Sequence, residues 1–153
     1  MLVRLYDTSA LAKLYHREAG SETIKTLVSS ADALAVISHL TLVELESILA
    51  IKVRTGSMQA HQKANIRSRL AADLQAGRIR LGFAIEQADY AGAVHLLMEF
   101  GEDIGLRTLD ALHLAIAVRA FRQGMLSTFV TSDHRLGRAA QAAGCPVIEV
   151  TAE

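Results

Sequence analysis

The sequence is poor in several features that would place it in a specialised class. Its single cysteine, Cys145, cannot form an internal disulfide and is expected to be a buried thiol in a reducing compartment. Its single proline, Pro146, stands before the last apolar run, where a missing amide is tolerated. No apolar run approaches the roughly 20 residues of a membrane-spanning helix. Asp7 interrupts the first run too early for a secretion signal. We therefore expect a cytoplasmic protein without a membrane partner.

The chain also lacks a net charge, since 16 basic residues balance 16 acidic ones. Bulk charge therefore neither favours nor excludes a nucleic-acid partner. The distribution is uneven, because residues 52–80 hold seven basic residues and one acid. This stretch is expected either to contact nucleic-acid phosphates or to form a solvated helix face. The candidates for phosphate contact are Lys52, Arg54, Lys63, Arg67 and Arg69.

Strand-like and helical patterns alternate along the whole chain. The 153 residues, 51% of them hydrophobic, are enough for the core of one domain over residues 1–153. Alternation predicts an α/β fold in which a five-stranded, mostly parallel sheet lies between about seven helices. The predicted strands are 2–6, 34–38, 79–83, 129–131 and 147–150, and the predicted helices are 8–17, 21–30, 41–53, 58–74, 86–102, 108–123 and 135–143.

Two further features of this organisation can be predicted. The helices within roughly 41–76 have little strand between them and are expected to form a projection from the sheet. Glycine in a left-handed conformation commonly follows the last residue of a helix. The glycines expected in that position are Gly20, Gly56, Gly77, Gly124 and Gly144.

Four carboxylates stand where strands end or helices begin. Asp7 and Asp133 follow strand-like runs, and Glu44 and Asp110 lie in the opening turns of predicted helices. In open α/β folds, ligands bind beyond the carboxyl ends of the strands, so these acids can converge there. Each also has a structural explanation. Asp7 and Asp133 could be the N-caps of the helices that follow them, and Glu44 could form a capping box with Thr41. Asp110 in a first turn interacts favourably with the helix dipole.

The helix that Asp110 opens favours the functional explanation. Residues 109–118 are apolar on nearly every face, so this helix is expected to be buried. A buried carboxylate needs a cation or dedicated donors, because isolated burial costs several kcal/mol. A site of carboxylates and hydroxyls suits Mg²⁺ or Mn²⁺ better than Zn²⁺. Four acids can hold two such cations about 4 Å apart, which favours phosphodiester hydrolysis.

Three further residues lie close to these acids in the sequence. Ser9 and Thr131 are candidates for hydroxyls that orient the carboxylates. His113 follows Asp110 by three residues on the same helical face. We expect it to be a packed, hydrogen-bonded core histidine rather than a metal ligand.

At these residues the chain resembles the PIN-domain nucleases, and among them the VapC-type ribonuclease toxins of toxin–antitoxin pairs. Residues 5–15, 41–45, 106–115 and 129–136 are similar to four motifs of that family, in order and at suitable spacing. The resemblance implies Mg²⁺ or Mn²⁺ held chiefly by Asp7 and Asp110, with Glu44 and Asp133 completing the pocket. It leaves open whether Asp133 contacts the metal directly. It also implies RNA as substrate, with tRNA as one candidate, a homodimer and a cognate antitoxin.

Two other function classes can be weighed against a metal-dependent endoribonuclease. Aspartyl-phosphate enzymes and receivers also place acids at strand ends. A haloacid-type phosphatase, however, has a second Asp where this chain has Ser9, and a receiver needs a late lysine where none follows Lys63. The other alternative is a noncatalytic module of the same fold that binds protein or nucleic acid. The presence of all four acids favours the enzyme.

Overall fold

The computed structural model describes residues 1–151 and shows an α/β fold. Its single sheet has the strand order β3-β2-β1-β4-β5, and every pair of neighbours is parallel. This confirms the predicted fold class. In chain order the elements are β1 (Leu2–Tyr6), α1 (Thr8–Tyr15), α2 (Ser21–Val28), β2 (Ala33–Ile37), α3 (His39–Arg54), α4 (Ala60–Gln75), β3 (Arg80–Leu81), α5 (Gln87–Phe100), α6 (Thr108–Arg122), β4 (Thr128–Thr131), α7 (His134–Ala142) and β5 (Val147–Glu149).

Alternation along the central strands divides the core into two parts. Leu5 of β1 and its pairing partner Phe129 of β4 face the helices α5, α6 and α7. Their neighbours Tyr6 and Val130 face the opposite layer, which contains α1, α3 and α4. Successive residues of a strand point to opposite faces, so a sheet covered on both sides needs apolar residues at both positions. The buried, apolar α6 is confirmed and carries Leu114 in the first of these cores.

The segment over 41–76 packs on the second core through one face of each helix. Leu45 and Leu49 of α3 and Ile66 and Leu70 of α4 are all buried there. The opposite faces of both helices are exposed. The two helices are therefore amphipathic, which places their basic residues mainly on the solvent side.

Several predicted details are wrong at element ends. Helix α3 begins at His39, with the Ser38 side chain accepting from the Thr41 amide, so Glu44 lies in the second turn and forms no capping box with Thr41. Gly20 precedes α2 as its N-cap instead of ending a helix. The edge strand β3 has only two residues. The other four glycines follow helices with positive φ, as predicted. Within the described residues, no helix combines the length and the apolar character needed to span a membrane.

One buried ion pair ties α6 to α5. Arg119 Nε lies 2.8 Å from Asp89 Oδ1, and Arg119 Nη2 lies 3.0 Å from Asp89 Oδ2. Asp89 is 1% exposed and also accepts from the Glu86 amide at 2.7 Å. The carboxylate therefore has partners at both oxygens.

We expect Arg119→Met to destabilise the protein by about 3 kcal/mol, because removing one partner leaves a buried charge uncompensated. The double variant Arg119→Met/Asp89→Asn should recover part of that loss. Urea denaturation measures both, with Arg122→Met, an exposed arginine of the same helix, as the control. Equal unfolding midpoints for Arg119→Met and the native protein would contradict the expectation.

Candidate active site at the carboxyl ends of the central strands

The site forms where β1 and β4 lie side by side in the sheet. The chain winds outward from β1 through β2 to β3 and then returns to β4 on the other side of β1. This reversal opens a crevice at the carboxyl ends of the two strands. Asp7 follows β1 directly, and Asp133 comes two residues after β4. Both are N-caps, since they accept from the amides of Ala10 and Leu136 respectively.

Asp7 is the centre of a hydrogen-bond network that joins the two strand ends. Its carboxylate accepts from the hydroxyl of Thr131 at 2.7 Å and from that of Ser9 at 2.8 Å. The same hydroxyls accept hydrogen bonds from backbone amides of the turn after β4. The Asp133 amide donates to Thr131 Oγ1 at 3.0 Å, and the Ser132 amide donates to Ser9 Oγ at 2.9 Å. Two small hydroxyls therefore fix both the orientation of Asp7 and the turn that leads to Asp133.

Burial dominates the electrostatics of Asp7, which is 4% exposed. It raises the pKa of this carboxyl from 3.8 to about 6, although hydrogen bonds from Ala10, Thr131 and Ser9 and the nearby His113 act in the opposite direction. The charged form is therefore disfavoured in the metal-free protein.

Glu44 reaches the same region from the second turn of α3. Its Oε2 atom lies 2.5 Å from His113 Nε2 and accepts from the Thr8 hydroxyl at 2.7 Å. Burial raises the pKa of Glu44, but the hydrogen bonds from His113 and Thr8 outweigh it, so the pKa lies below its ordinary value. Glu44 is therefore held as a carboxylate in one orientation.

Asp110 is the third residue of α6, and its side chain is 18% exposed. Burial raises its pKa, and the charges of Asp133 and Glu44 raise it further, against a weaker opposing effect of Arg107. The Arg107 Nε atom is 3.9 Å from Asp110 Oδ2, too far for a hydrogen bond. Asp110 is thus close enough to Asp133 and to Glu44 to be repelled by both, and Arg107 does not fully compensate for that repulsion.

The donor chemistry of this site suits a hard divalent cation. Carboxylates and hydroxyls are the oxygen ligands that Mg²⁺ and Mn²⁺ prefer, and mutual repulsion among the acids is what a cation would relieve. Within residues 1–151, no three acidic, histidine or cysteine side chains are already arranged as a metal cage. The donor types, though not a ready-made arrangement, fit Mg²⁺, which binds one or two carboxylates directly and keeps several waters.

The basic candidates are not gathered at this site. Arg67 pairs with Glu46 through two contacts of 2.6 and 2.5 Å, and Lys63 lies 3.9 Å from the same carboxylate. Arg69 donates to carbonyls at the end of α1 and stacks over Tyr15 at 5.3 Å. These three side chains of α4 therefore already have partners within the protein, Arg67 and Lys63 at the surface and Arg69 at the end of α1. Lys52 approaches His16 Nδ1 at 3.4 Å, and Arg54 is exposed at the end of α3.

Of three residues near the acids, two were not predicted from the sequence and one has a partner other than the expected one. Thr8 and Arg107 carry no signal of their own, because a threonine after a strand and an arginine before a helix are common. His113 is buried and hydrogen-bonded as expected, yet its partner is Glu44 rather than a core group. The position of His113, three residues after Asp110 on one helical face, was the feature of the sequence that could have indicated its place beside the acids.

The raised pKa of Asp7 predicts a pH-dependent penalty in the metal-free protein. Between about pH 4 and 6 the folded state holds a proton that the unfolded state has lost, so stability from this group falls as pH rises through about 6. A shift of about two pKa units corresponds to roughly 3 kcal/mol. Asp7→Asn should therefore gain stability relative to the native protein between pH 4.5 and 7.5, measured by urea denaturation in EDTA.

The matched control for this experiment is Asp32→Asn. The Ser30 hydroxyl lowers the pKa of Asp32, so the contribution of this group changes with pH only below about pH 4, and the relative stability of this variant should stay constant between pH 4.5 and 7.5. A stability difference between Asp7→Asn and the native protein that stays constant with pH would contradict the assignment.

Comparison with solved structures finds the same fold in proteins of low sequence identity. VapBC2 from Rickettsia felis, solved with a DNA fragment from its promoter, superposes with a TM-score of 0.67 at 16% identity, covering 99% of this chain and 100% of that one. Mycobacterium tuberculosis VapC20, described as a sarcin–ricin loop cleaving toxin, gives 0.65 at 19% identity, covering 95% and 98%. FitAcB from Neisseria gonorrhoeae gives 0.64 at 21% identity, covering 95% and 96%.

Comparison with curated proteins finds no significant match. A family model decides the assignment instead. It spans the chain from the middle of β1 to the end of α7, which includes all four acids of the site. Since the PIN domain model matches residues 4–142, the chain belongs to the PIN domain family.

Proposed function

We propose that this protein is a metal-dependent endoribonuclease and the toxin of a toxin–antitoxin pair. The observation that carries the proposal is that Asp7 and Asp133 follow β1 and β4, while Asp110 lies close enough to Asp133 and Glu44 for their charges to raise its pKa. Membership of the PIN family supports nuclease chemistry and leaves no support for aspartyl-phosphate chemistry.

The proposed division of labour follows from the contacts of each acid. Asp7 and Asp110 would be the principal ligands of Mg²⁺ or Mn²⁺, with Glu44 and Asp133 completing the pocket. When bound, the cation supplies an acidified water and neutralises charge on the phosphodiester. Ser9 and Thr131 orient Asp7, as outer hydroxyls commonly do for ligating carboxylates.

The fixed orientation of Glu44 has a consequence for its role. Thr8 and His113 both occupy Oε2, and within residues 1–151 no hydrogen bond engages Oε1. One oxygen therefore anchors the side chain while the other stays available. Such a carboxylate can accept a proton from a water molecule or hold it in place for attack.

The remaining partners are proposed from the resemblance and from the fold. VapBC2, solved with a DNA fragment from its promoter, has the same fold, and VapC20 is described as a toxin that cleaves the sarcin–ricin loop. By analogy we propose an RNA substrate, a cognate antitoxin and a homodimer acting in the cytoplasm. The whole chain, 1–153, would act as one nuclease domain.

We expect Asp7→Asn and Asp110→Asn each to reduce RNA cleavage by at least about 100-fold, the order of loss when a charge-stabilising group is removed from an active site. Cleavage of total RNA and of a tRNA pool is followed with Mg²⁺, Mn²⁺ or EDTA. Calorimetric titration with Mn²⁺ should show binding to the native protein and weakened binding to Asp110→Asn.

Asp32→Asn provides the control, since Asp32 is exposed just before β2, at the opposite ends of the strands from the acids, and its substitution removes the same charge. It should cleave and bind Mn²⁺ like the native protein. Undiminished cleavage by both Asp7→Asn and Asp110→Asn would refute the proposal. Mn²⁺ binding without cleavage of any RNA would instead favour a noncatalytic binding module.

A further inference from the structure

A second basic surface lies beside the acidic pocket, on the loop between α5 and α6 and on the first turn of α7. Gly105 in that loop has φ +76°, and the Arg135 side chain lies alongside it. A Cβ at position 105 would lie 3.8 Å from Cδ and 3.9 Å from Nε of Arg135, which is ordinary van der Waals contact. Arg135 therefore crosses the loop that leads into α6, only two residues after Asp133.

Arg107 stands on the same loop, two residues after Gly105. It occupies the N-cap position of α6, and its side chain is 74% exposed. Its guanidinium lies beside Asp110 without forming a hydrogen bond to it. Arg107 and Arg135 therefore flank one loop at the edge of the acidic pocket, and we call this pair the Gly105 rim.

The Gly105 rim differs from the basic residues of α4 in what its charges already contact. Arg67 and Lys63 share the carboxylate of Glu46, and Arg69 is bound to the end of α1. Within residues 1–151, Arg135 has neither a hydrogen bond nor an ion pair, and Arg107 has only its distant contact to Asp110. A phosphate would have to displace existing partners on α4, whereas the rim offers free donors.

We propose that the Gly105 rim is the phosphate-binding edge of the active site and holds the RNA backbone as it enters the acidic pocket. The proposal rests on the proposed nuclease function. A phosphodiester approaching four carboxylates is repelled, and a cationic edge next to them would offset part of that repulsion. Planar guanidinium groups suit this task, because each can donate two parallel hydrogen bonds to one phosphate.

The test measures RNA binding separately from cleavage. Fluorescence anisotropy follows a fluorescein-labelled, single-stranded RNA of mixed sequence with the Asp7→Asn protein in EDTA, so that no RNA is cut. Adding Arg107→Gln and Arg135→Gln together should weaken binding at least about 10-fold. The slope of log affinity against log salt should fall by about 1.4, since each phosphate contact with a single strand contributes about 0.7.

Two matched variants separate the rim from general charge. Arg67→Gln removes an α4 charge that Glu46 already holds, so it should change affinity less than about 2-fold and leave the slope unaltered. Arg107→Lys with Arg135→Lys keeps both charges and should retain the salt slope. Circular dichroism melting of every variant verifies that these exposed substitutions leave the fold intact.

Each outcome of these binding measurements either supports the proposal or contradicts it. A loss of RNA affinity in the rim double variant but not in Arg67→Gln supports the proposal. This holds even if the native protein cleaves none of the RNAs tried, because absence of cleavage would count only against the proposed nuclease activity. Equal loss in Arg67→Gln, an unchanged slope in the double variant, or no RNA binding by the parent protein would overturn it. A labelled hexaglutamate peptide that bound as tightly as RNA through the same pair would assign the rim to an acidic protein partner instead.

Discussion

The hydrogen bonds that join β1 to β4 through Asp7 are the constraint on which the rest of the site depends. A carboxylate this deeply buried is costly, and the protein tolerates it by directing two hydroxyls and one amide at its oxygens. Those hydroxyls, from Ser9 and Thr131, also fix the turn before Asp133. The raised pKa of Asp7 indicates that this compensation is incomplete, as it would be in a site that gains stability when a cation binds.

The other acids lie in or just before helices that begin at the same edge of the sheet. Helices α1, α6 and α7 all start at this edge, so their positive N-terminal ends favour negative charge there. Even so, burial and the nearby charges of Asp133 and Glu44 raise the pKa of Asp110 and disfavour its charged form. The same excess of negative charge that attracts a metal would repel RNA. Under the proposed function, basic groups beside the pocket would offset that repulsion, and the Gly105 rim lies at that edge.

Much of the fold was predictable because local rules agreed with one another. Alternating strand and helix patterns gave the α/β class, and the uninterrupted apolar surface of residues 109–118 indicated the buried α6. The start of α3 was missed because Ser38 was assigned to the strand, although its hydroxyl is the group that caps the helix. The engagement of Arg67 could not be predicted, since its partner Glu46 lies on a different helix, 21 residues away in the chain.

The sequence by itself determined the order of the elements, the two-sided burial of the strands and the presence of an acid after β1 and β4. These properties follow from residue type and spacing over a few neighbours. Only the tertiary structure decided which groups meet. Asp7 and Thr131 are 124 residues apart, and they bond because the strand order places β1 beside β4. Hydrogen bonds and charge interactions act over a few ångströms, so the choice of partners belongs to the folded chain.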